Sequence, residues 1–276
     1  MKIIVDTATL FSPAEGEANG MTVVPVSVAI NNQTYRDYVD ISSREFLKLI
    51  QEGGTPTSSQ PSVGEILEAL EGVEEDVILL TVADGLSGGY QSAMGAKNLL
   101  EANDHIHVIN SKSLAGPLRY LAKKAVALNR QGVSTPQALA ALYESVDNSI
   151  SFVIPEDFEF LKRSGRLTAI TARVGGVLKL LPILTQTDDR RRIKPIGVKR
   201  SWKAAVEVIT GRLQNMGIDE SHLISVCHAG TYEKAVAVGR QVQEAFPATE
   251  LEILELCPAL ITHGGPGCIV IQAIKK

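Results

Sequence analysis

The sequence has few of the residues that identify several common classes of protein. Its 276 residues include three cysteines, Cys227, Cys257 and Cys268, which are too few and too scattered for a disulfide framework or a zinc site. We therefore expect reduced, buried thiols and a cytoplasmic protein. The apolar run after Met1 is too short for a signal peptide, and no stretch reaches the roughly 18 apolar residues of a membrane span.

Charge and motif content exclude further classes. The formal net charge of −4 provides no overall basic field for nucleic acid. The glycine-rich segment 84–89 lacks the Lys-Ser/Thr pair of a nucleotide P-loop, and no nucleophile elbow or metal-ligand spacing occurs. We therefore predict no metal, no cofactor and no catalytic residue.

Apolar runs and amphipathic patterns alternate through the first half of the chain. Strand-like runs at 2–5, 23–30, 76–82 and 105–110 are separated by helix-like stretches, among them 41–54, 63–71 and 117–132. This alternation predicts an α/β fold with a mostly parallel sheet covered by helices on both faces. Ligands of such sheets bind at the carboxyl ends of the strands.

The second half has a different pattern. A strand at 149–155, an apolar stretch at 174–186 interrupted by a proline, and further strands and helices indicate a mixed or antiparallel sheet. We predict two α/β domains, residues 1–148 and 149–276. The arginines at 190–192 follow two aspartates, which is typical of a hairpin tip with solvated charges.

The segment 55–65 contains several hydroxyl groups just before a predicted helix. Ser62 and Glu65 have the spacing of a capping box, and Thr57, Ser58 and Ser59 precede them. The free amides and the dipole of a helix N-terminus favour a carboxylate or phosphate. An ordinary capped loop explains the same residues.

Two other loops have comparable chemistry. Ser87 and Gly88 lie in the glycine-rich loop 84–89, where a hydroxyl can either bind a ligand or cap the helix. His263 begins the sequence His-Gly-Gly-Pro-Gly, which predicts an unusual backbone path between two strands. This histidine can donate to a carboxylate, or it can be a loop residue without a binding role.

Three cations lie close to a predicted helix start, namely Lys199, Arg200 and Lys203. Cations at a helix N-terminus oppose the helix dipole by a few tenths of a kcal/mol or more. An anionic ligand or an acidic partner surface would offset that cost.

Taken together, five motifs resemble those of the DegV family. They occur in the family's order over essentially the whole chain: 6–10 (DTATL), 57–62 (TSSQPS), 86–93 (LSGGYQSA), 162–166 (KRSGR) and 263–267 (HGGPG). The resemblance implies two α/β domains with a long-chain fatty acid bound between them. It also implies a non-catalytic subunit that holds the acid while a separate, dihydroxyacetone-kinase-like subunit phosphorylates it. The acyl phosphate then enters phospholipid synthesis.

The resemblance also implies roles for particular residues. The hydroxyls that hold the carboxylate correspond to Thr57, Ser58 and Ser59 and to the loop of Ser87 and Gly88, and the motif histidine corresponds to His263. Basic residues that face the kinase correspond to three positions: Arg166, Arg200 and Lys203. The chain departs from the family at Ala83-Asp84, where a serine pair is common, and an aspartate beside the head group would repel a carboxylate unless it points away.

Two other functions are compatible with the residues. One is an acyl- or phosphoryl-transfer enzyme that uses the hydroxyls with the histidine. The other is a regulatory, lipid-sensing module that docks an acidic partner through residues 190–203. The binding hypothesis predicts no turnover of ATP and fatty acid by the chain alone.

Overall fold

The computed structural model describes residues 1–168 and 180–276, which form three sheets and the helices that cover them. The strands are β1 Lys2–Asp6, β2 Thr22–Val24, β3 Ser27–Ile30, β4 Gln33–Arg36, β5 Thr57–Ser59, β6 Val77–Thr81, β7 Ile106–Asn110, β8 Ser149–Ile154, β9 Leu181–Gln186, β10 Ile193–Lys199, β11 His222–His228, β12 Glu250–Glu255 and β13 Ile269–Lys275. The α-helices are α1 Pro13–Asn19, α2 Ser43–Gln51, α3 Val63–Leu70, α4 Gly89–Leu99, α5 Ala115–Arg130, α6 Thr135–Asp147, α7 Phe158–Ser164, α8 Trp202–Asn215, α9 Tyr232–Ala245 and α10 Pro258–Gly264.

A four-stranded parallel sheet forms the first half, in the order β2-β1-β6-β7. Successive residues of a strand point to opposite faces. Ile3 and Val5 accordingly pack in the cluster that contains α5 and α6, while Ile4 packs in the cluster that contains α3 and α4. Because both faces are buried, the strands are almost continuously apolar, as predicted.

A six-stranded mixed sheet, in the order β10-β9-β8-β13-β11-β12, forms the second half. Only β11 and β12 pair in parallel; the other pairs are antiparallel. One face packs against α8 and α9, and the other contributes residues such as Leu223 and Ile274 to the cluster of α5 and α6. The predicted fold class is therefore confirmed. The division into domains at residues 148 and 149 stays a prediction.

A fully buried glutamine joins α5 to the mixed sheet. The Gln272 amide oxygen accepts the Gly116 N–H at 3.1 Å, which is one of the amides that a helix N-terminus leaves without an intrahelical partner. Its amide nitrogen donates to the Leu114 carbonyl at 3.0 Å and to the Ser151 hydroxyl at 2.7 Å. Ser151 lies 3.4 Å from the Ser113 hydroxyl. We call Gln272, Ser151 and Ser113 with the backbone of Leu114 and Gly116 the Gln272 cluster.

A small sheet in the order β4-β3-β5 corrects two predictions. The predicted strand 23–30 is two strands in different sheets, because Pro25 has no N–H to donate to a ladder. Thr57–Ser59 are not a loop but the strand β5, which pairs with β3. The capping box of Ser62 and Glu65 at the start of α3 is confirmed.

The fold also contains helices that the sequence analysis did not predict. They are α1, α6 and α10, and each has a proline in its first turn, which is a recognisable start signal. Because α10 includes His263, that residue lies in the last turn of a helix and not at the head of a loop. The loop that follows does have unusual backbone angles, with φ of +75° at Gly265 and +76° at Gly267.

The prediction of solvated arginines at 190–192 is wrong for Arg190. Its guanidinium is half-buried and donates to the Val146 and Asp147 carbonyls and to the Ser149 hydroxyl, because the hairpin tip folds back onto the end of α6. Of the apolar stretch 174–186, residues 174–179 lie outside the described residues, and Leu181–Gln186 form β9. No described helix combines the length and hydropathy of a membrane span.

Candidate functional site

A cavity lies where the carboxyl ends of β1 and β6 meet β5, α10 and the mixed sheet. Its volume, counting the part that is open to solvent, is about 900 Å³. Apolar side chains from both halves of the chain line it, among them Ala8, Val26, Leu114, Val153, Leu256 and Val270. The polar side chains that line it are those of Asp6, Ser58, Ser59, Gln60, Ser87, Arg166 and His263. The cavity therefore has polar and apolar portions.

Ser58 and His263 form a hydrogen bond across the cavity wall, with 2.9 Å between Ser58 Oγ and His263 Nε2. They are 205 residues apart in sequence, and they meet because α10 packs against β3 and β5. Side chains alternate along a strand, so the side chain of Ser58 points to the opposite side of β5 from that of Thr57. Thr57 is exposed and is not among the lining residues.

His263 is held in its neutral form. Burial, together with the nearby positive charge of Arg166, lowers its pKa to about 4. A neutral imidazole has one N–H donor and one acceptor nitrogen. At pH 7 the pair of Ser58 and His263 is therefore uncharged and can offer a hydrogen to an anion.

The loop before α4 brings a second hydroxyl to the cavity. Ser87 Oγ accepts the Gly89 N–H at 3.2 Å, which leaves its own hydrogen free for another acceptor. Gly88 also lines the cavity, and a Cβ there would lie 2.8 Å from the Gln60 side chain. The Gln60 side chain therefore packs directly over Gly88.

Arg166 lies on the cavity wall, where it is half-buried. Its Nε donates to the Leu86 carbonyl at 3.2 Å and its Nη1 to the Ser164 carbonyl, and burial lowers the pKa of the guanidinium. The contact with Leu86 joins the second half of the chain to the loop that bears Ser87. Arg166, Arg200 and Lys203 were all predicted to face a partner protein, but Arg166 is less exposed than the other two.

Asp84 points away from the polar wall. Its carboxylate pairs with Arg191 at 3.2 Å, and it is not a lining residue. The β9–β10 hairpin packs closely against the loop of Asp84 and Gly85, since a Cβ at Gly85 would lie 2.2 Å from the Arg191 carbonyl oxygen. The departure from the family at Ala83-Asp84 therefore does not place a negative charge in the cavity.

A different carboxyl group, Asp6, does line the cavity. It ends β1 and is almost fully buried, and its Oδ1 accepts the Ala8 N–H at 2.8 Å. Its Oδ2 and the Ser87 hydroxyl both lie within 3.7 Å of the point where a Gly89 Cβ would be. Burial raises the pKa of Asp6 to about 7, and the charge of Asp37 adds to the rise.

Asp37 lies behind Asp6 and is fully buried. Its Oδ2 accepts the Thr7 hydroxyl at 3.0 Å, while its Oδ1 has no hydrogen-bond partner among the described residues. Burial raises its pKa to about 6, against the opposing hydrogen bonds from Cys257 and Thr7. Two neighbouring acids therefore have raised pKa values, and one of them, Asp6, lines the cavity.

The structure places most of the predicted head-group residues together. Ser58, Ser59, Ser87, Gly88 and His263 line the cavity, whereas Thr57 does not. Arg200 and Lys203 are exposed at the start of α8 and form no ion pair with the described residues. Whether these residues bind a ligand or a partner stays a prediction.

The sequence analysis missed Asp6 as a lining residue. A signal was available, because Asp6 directly follows a buried apolar run and so lies at the carboxyl end of a strand. Within the described ranges, the structure contains no group of three or more His, Cys, Asp or Glu side chains that could hold a metal ion.

Comparison with known proteins connects this geometry to described relatives. A family model described as "Uncharacterised protein, DegV family" matches residues 1–276. A DegV domain-containing protein of Staphylococcus aureus (strain N315) is 30% identical over 278 residues, which cover 99% of this chain and 98% of the relative.

The descriptions of two solved structures with a similar fold name a fatty acid. "Fatty Acid Binding of a DegV family Protein from Thermus thermophilus" matches with a TM-score of 0.88 and 26% identity, covering 100% of this chain and 99% of the other. A stearic acid-binding protein from Eubacterium ventriosum matches with a TM-score of 0.85 and 25% identity, covering 100% and 98%.

Proposed function

This chain belongs to the DegV family, and from that premise we propose that it binds a long-chain fatty acid in the cavity between its two α/β domains and presents the carboxylate to a separate kinase subunit. The single observation that carries the proposal is the hydrogen bond between Ser58 and His263 in the polar wall of an otherwise apolar cavity. We also propose a cytoplasmic location, on the basis of the three free thiols.

In the proposed complex, hydroxyl groups hold the carboxylate. If the neutral His263 donates from Nε2 to Ser58 Oγ, the Ser58 hydroxyl hydrogen is free for the ligand, as is that of Ser87. Hydrogen bonds to a charged oxygen contribute about 1.5–3 kcal/mol each. Arg166 supplies the one positive charge on the cavity wall within the described part of the chain.

The apolar walls would supply most of the affinity. At about 0.8 kcal/mol per buried methylene, a sixteen-carbon tail contributes roughly 11 kcal/mol before the costs of ordering. Leu114, Val153, Leu256 and Val270 offer such a surface from both halves of the chain. The polar wall would then determine which end of the ligand faces outward.

We further propose that the exposed cations near α8 contact the kinase subunit. Arg200 and Lys203 flank Trp202, whose ring lies 4.9 Å from the Lys234 ammonium, and Tyr232 is 59% exposed. Arginine and aromatic side chains are enriched in protein interfaces, and exposed cations such as Lys203 steer an acidic partner surface toward them. With its phosphorylation machinery on the partner, the chain itself would be a non-catalytic carrier.

The binding part is tested with hexadecanoate and delipidated protein. We expect at least a tenfold loss of affinity in the double variant Ser58→Ala/His263→Ala, and a comparable loss in Ser87→Ala/His263→Ala. The matched control is Ser221→Ala/His222→Ala, which removes another hydrogen-bonded serine and histidine, 3.1 Å apart at the start of β11. Unchanged affinity in both site variants, or no binding by the native protein, would overturn the proposal.

The carrier part is tested with ATP, hexadecanoate and a DegV-partner kinase subunit. We expect no acyl phosphate from the chain alone, which separates a carrier from an acyl- or phosphoryl-transfer enzyme. Arg200→Ala/Lys203→Ala should bind the fatty acid normally yet slow product formation with the partner present. Arg44→Ala/Lys123→Ala, which removes two other exposed cations, should not. Turnover without a partner would refute this part of the proposal.

A further inference from the structure

We propose that Asp6 makes fatty acid binding proton-linked: the ligand carboxylate enters beside Asp6 only when one proton is shared between the two acids. This inference rests on the proposed function and assigns Asp6 a role in it. The observation behind it is that a nearly buried carboxyl group lines the same wall as the hydroxyls that would hold the ligand.

Asp6 and Ser87 both line the cavity beside Gly89. Asp6 Oδ2 and the Ser87 hydroxyl both lie within 3.7 Å of one point near Gly89. Since these distances are 3.5 and 3.7 Å, the Ser87 and Asp6 oxygens are at most 7.2 Å apart. We place the ligand carboxylate between them, where it accepts from Ser87 and neighbours the nearly buried Asp6. Two carboxylates in such a site do not both ionise, and one of them retains a proton.

The groups around Asp6 favour this proton on Asp6. Asp37, connected through Thr7, adds negative charge from behind and leaves its Oδ1 without a partner among the described residues. Arg166 lies on the cavity wall and can balance the one negative charge that two acids carry when they share a proton.

Other titratable groups that face this region do not take up the proton between pH 8 and 9. Burial raises the pKa of the Cys268 thiol to about 12 and that of Cys257 well above its ordinary range, so both remain protonated. Burial raises the pKa of the Tyr38 hydroxyl too. His263 is neutral here, with its pKa lowered to about 4 by burial and by Arg166.

The ligand-free pKa of Asp6, about 7, sets the pH window. Above it, the empty cavity contains an ionised Asp6, and binding a carboxylate requires the uptake of one proton. Each pH unit then weakens binding tenfold. Below it, Asp6 already carries the proton and the affinity levels off.

The experiment compares tetradecanoate with tetradecan-1-ol, which has the same tail and a neutral head. Calorimetry at pH 8 in phosphate and in Tris should detect uptake of about one proton per tetradecanoate bound. Between pH 8 and pH 9 the Kd for tetradecanoate should rise about tenfold. The Kd for the alcohol should not rise.

Two variants locate the proton. Asp6→Asn keeps an oxygen for the Ala8 N–H and should bind tetradecanoate without proton uptake and with a pH-independent Kd. Asp84→Asn removes the nearby acid that pairs with Arg191, and it should retain the full pH dependence. Thermal unfolding of each variant checks that it is folded.

Several outcomes would overturn the inference. They are a native protein that binds tetradecanoate with no proton uptake, an Asp6→Asn variant that keeps the pH dependence, or a dependence abolished by Asp37→Asn or His263→Asn in its place. These results differ from failure of the proposed function, in which the native protein binds no tetradecanoate at any pH.

Discussion

Two clusters of buried and partly buried polar groups differ in how completely their groups are paired. In the Gln272 cluster every member is uncharged, and the glutamine amide has acceptors for its N–H groups and donors for its oxygen. The second cluster, which we call the head-group cluster, consists of Asp6, Asp37, Ser58, Ser87 and His263. It contains ionisable groups with displaced pKa values and an Asp37 oxygen that has no hydrogen-bond partner in residues 1–168 and 180–276.

This contrast distinguishes polar groups that stabilise the fold from polar groups that can bind a ligand. A buried polar group that is fully paired stabilises one arrangement of the chain and has no capacity for another partner. A group that is buried, ionisable and incompletely paired raises the free energy of the folded state unless something outside the chain completes it. Four members of the head-group cluster, Asp6, Ser58, Ser87 and His263, line the cavity with their side chains, whereas Gln272, Ser151 and Ser113 are not among the lining residues.

The largest effect is expected for Gln272→Leu. It leaves the Gly116 N–H and the Leu114 carbonyl without their side-chain partner, at about 1–3 kcal/mol for each buried group, and it removes the shorter of the two side-chain contacts of the Ser151 hydroxyl. We expect a loss of about 3 kcal/mol or more in the free energy of unfolding, measured with urea. Gln241→Ala, which removes one exposed bond to the Lys203 carbonyl, is the control and should cost little. A loss below 1 kcal/mol for Gln272→Leu would contradict the structural role.

A pH-dependent effect of intermediate size is expected for Asp37→Asn. Burial raises the folded-state pKa of Asp37 to about 6, so the native state binds the proton more tightly than the unfolded state does. The stability from this group is complete below the unfolded-state pKa of about 4 and is lost as the pH rises through 6. Relative to the native protein, the ligand-free variant should therefore gain stability from pH 4 to pH 7, by roughly 1.4 kcal/mol per unit of pKa shift.

The control for that measurement is Asp219→Asn. Hydrogen bonds from Ser221 and His222 lower the pKa of Asp219 to about 2, so its contribution is lost only as the pH falls through 2. Its stability difference from the native protein should stay constant between pH 4 and pH 7. A constant difference for Asp37→Asn as well would show that its carboxyl group ionises normally.

Two serine variants with smaller effects, about 1 kcal/mol each, distinguish the clusters because they change different measured quantities. Ser113→Ala removes the contact with Ser151, and Ser58→Ala removes the contact with His263. We expect the first to lower the free energy of unfolding without changing hexadecanoate affinity. The second should lower the affinity and leave the unfolding free energy nearly unchanged. Equal effects on both quantities would remove the distinction.

The smallest effect is expected outside both clusters, at the ion pair of Arg191 and Asp84. The Arg191 side chain is 56% exposed, and exposed pairs contribute about 0.2–1 kcal/mol. Arg191→Ala should lower the unfolding free energy by less than 1 kcal/mol, and the loss should shrink further in 1 M salt. A larger loss would mean that the pair holds the loop of Ser87 in place.

Local features of this protein were determined by the sequence itself. The alternation of apolar runs with amphipathic stretches predicted the fold class, and the spacing of Ser62 and Glu65 predicted the start of α3. Both depend on contacts between residues a few positions apart, whose energies are set by the local sequence. The family resemblance added the hydroxyl loops and His263 as members of one site.

The tertiary structure decided which polar groups became buried together. Packing of α10 against β5 brought His263 to Ser58, the hairpin at 190–192 turned Asp84 away, and the end of β1 placed Asp6 on the cavity wall. These outcomes depend on which surfaces lose water when distant segments pack. Desolvation is a property of the assembled fold, so the sequence pattern around Asp6 could not reveal that its pKa would be raised.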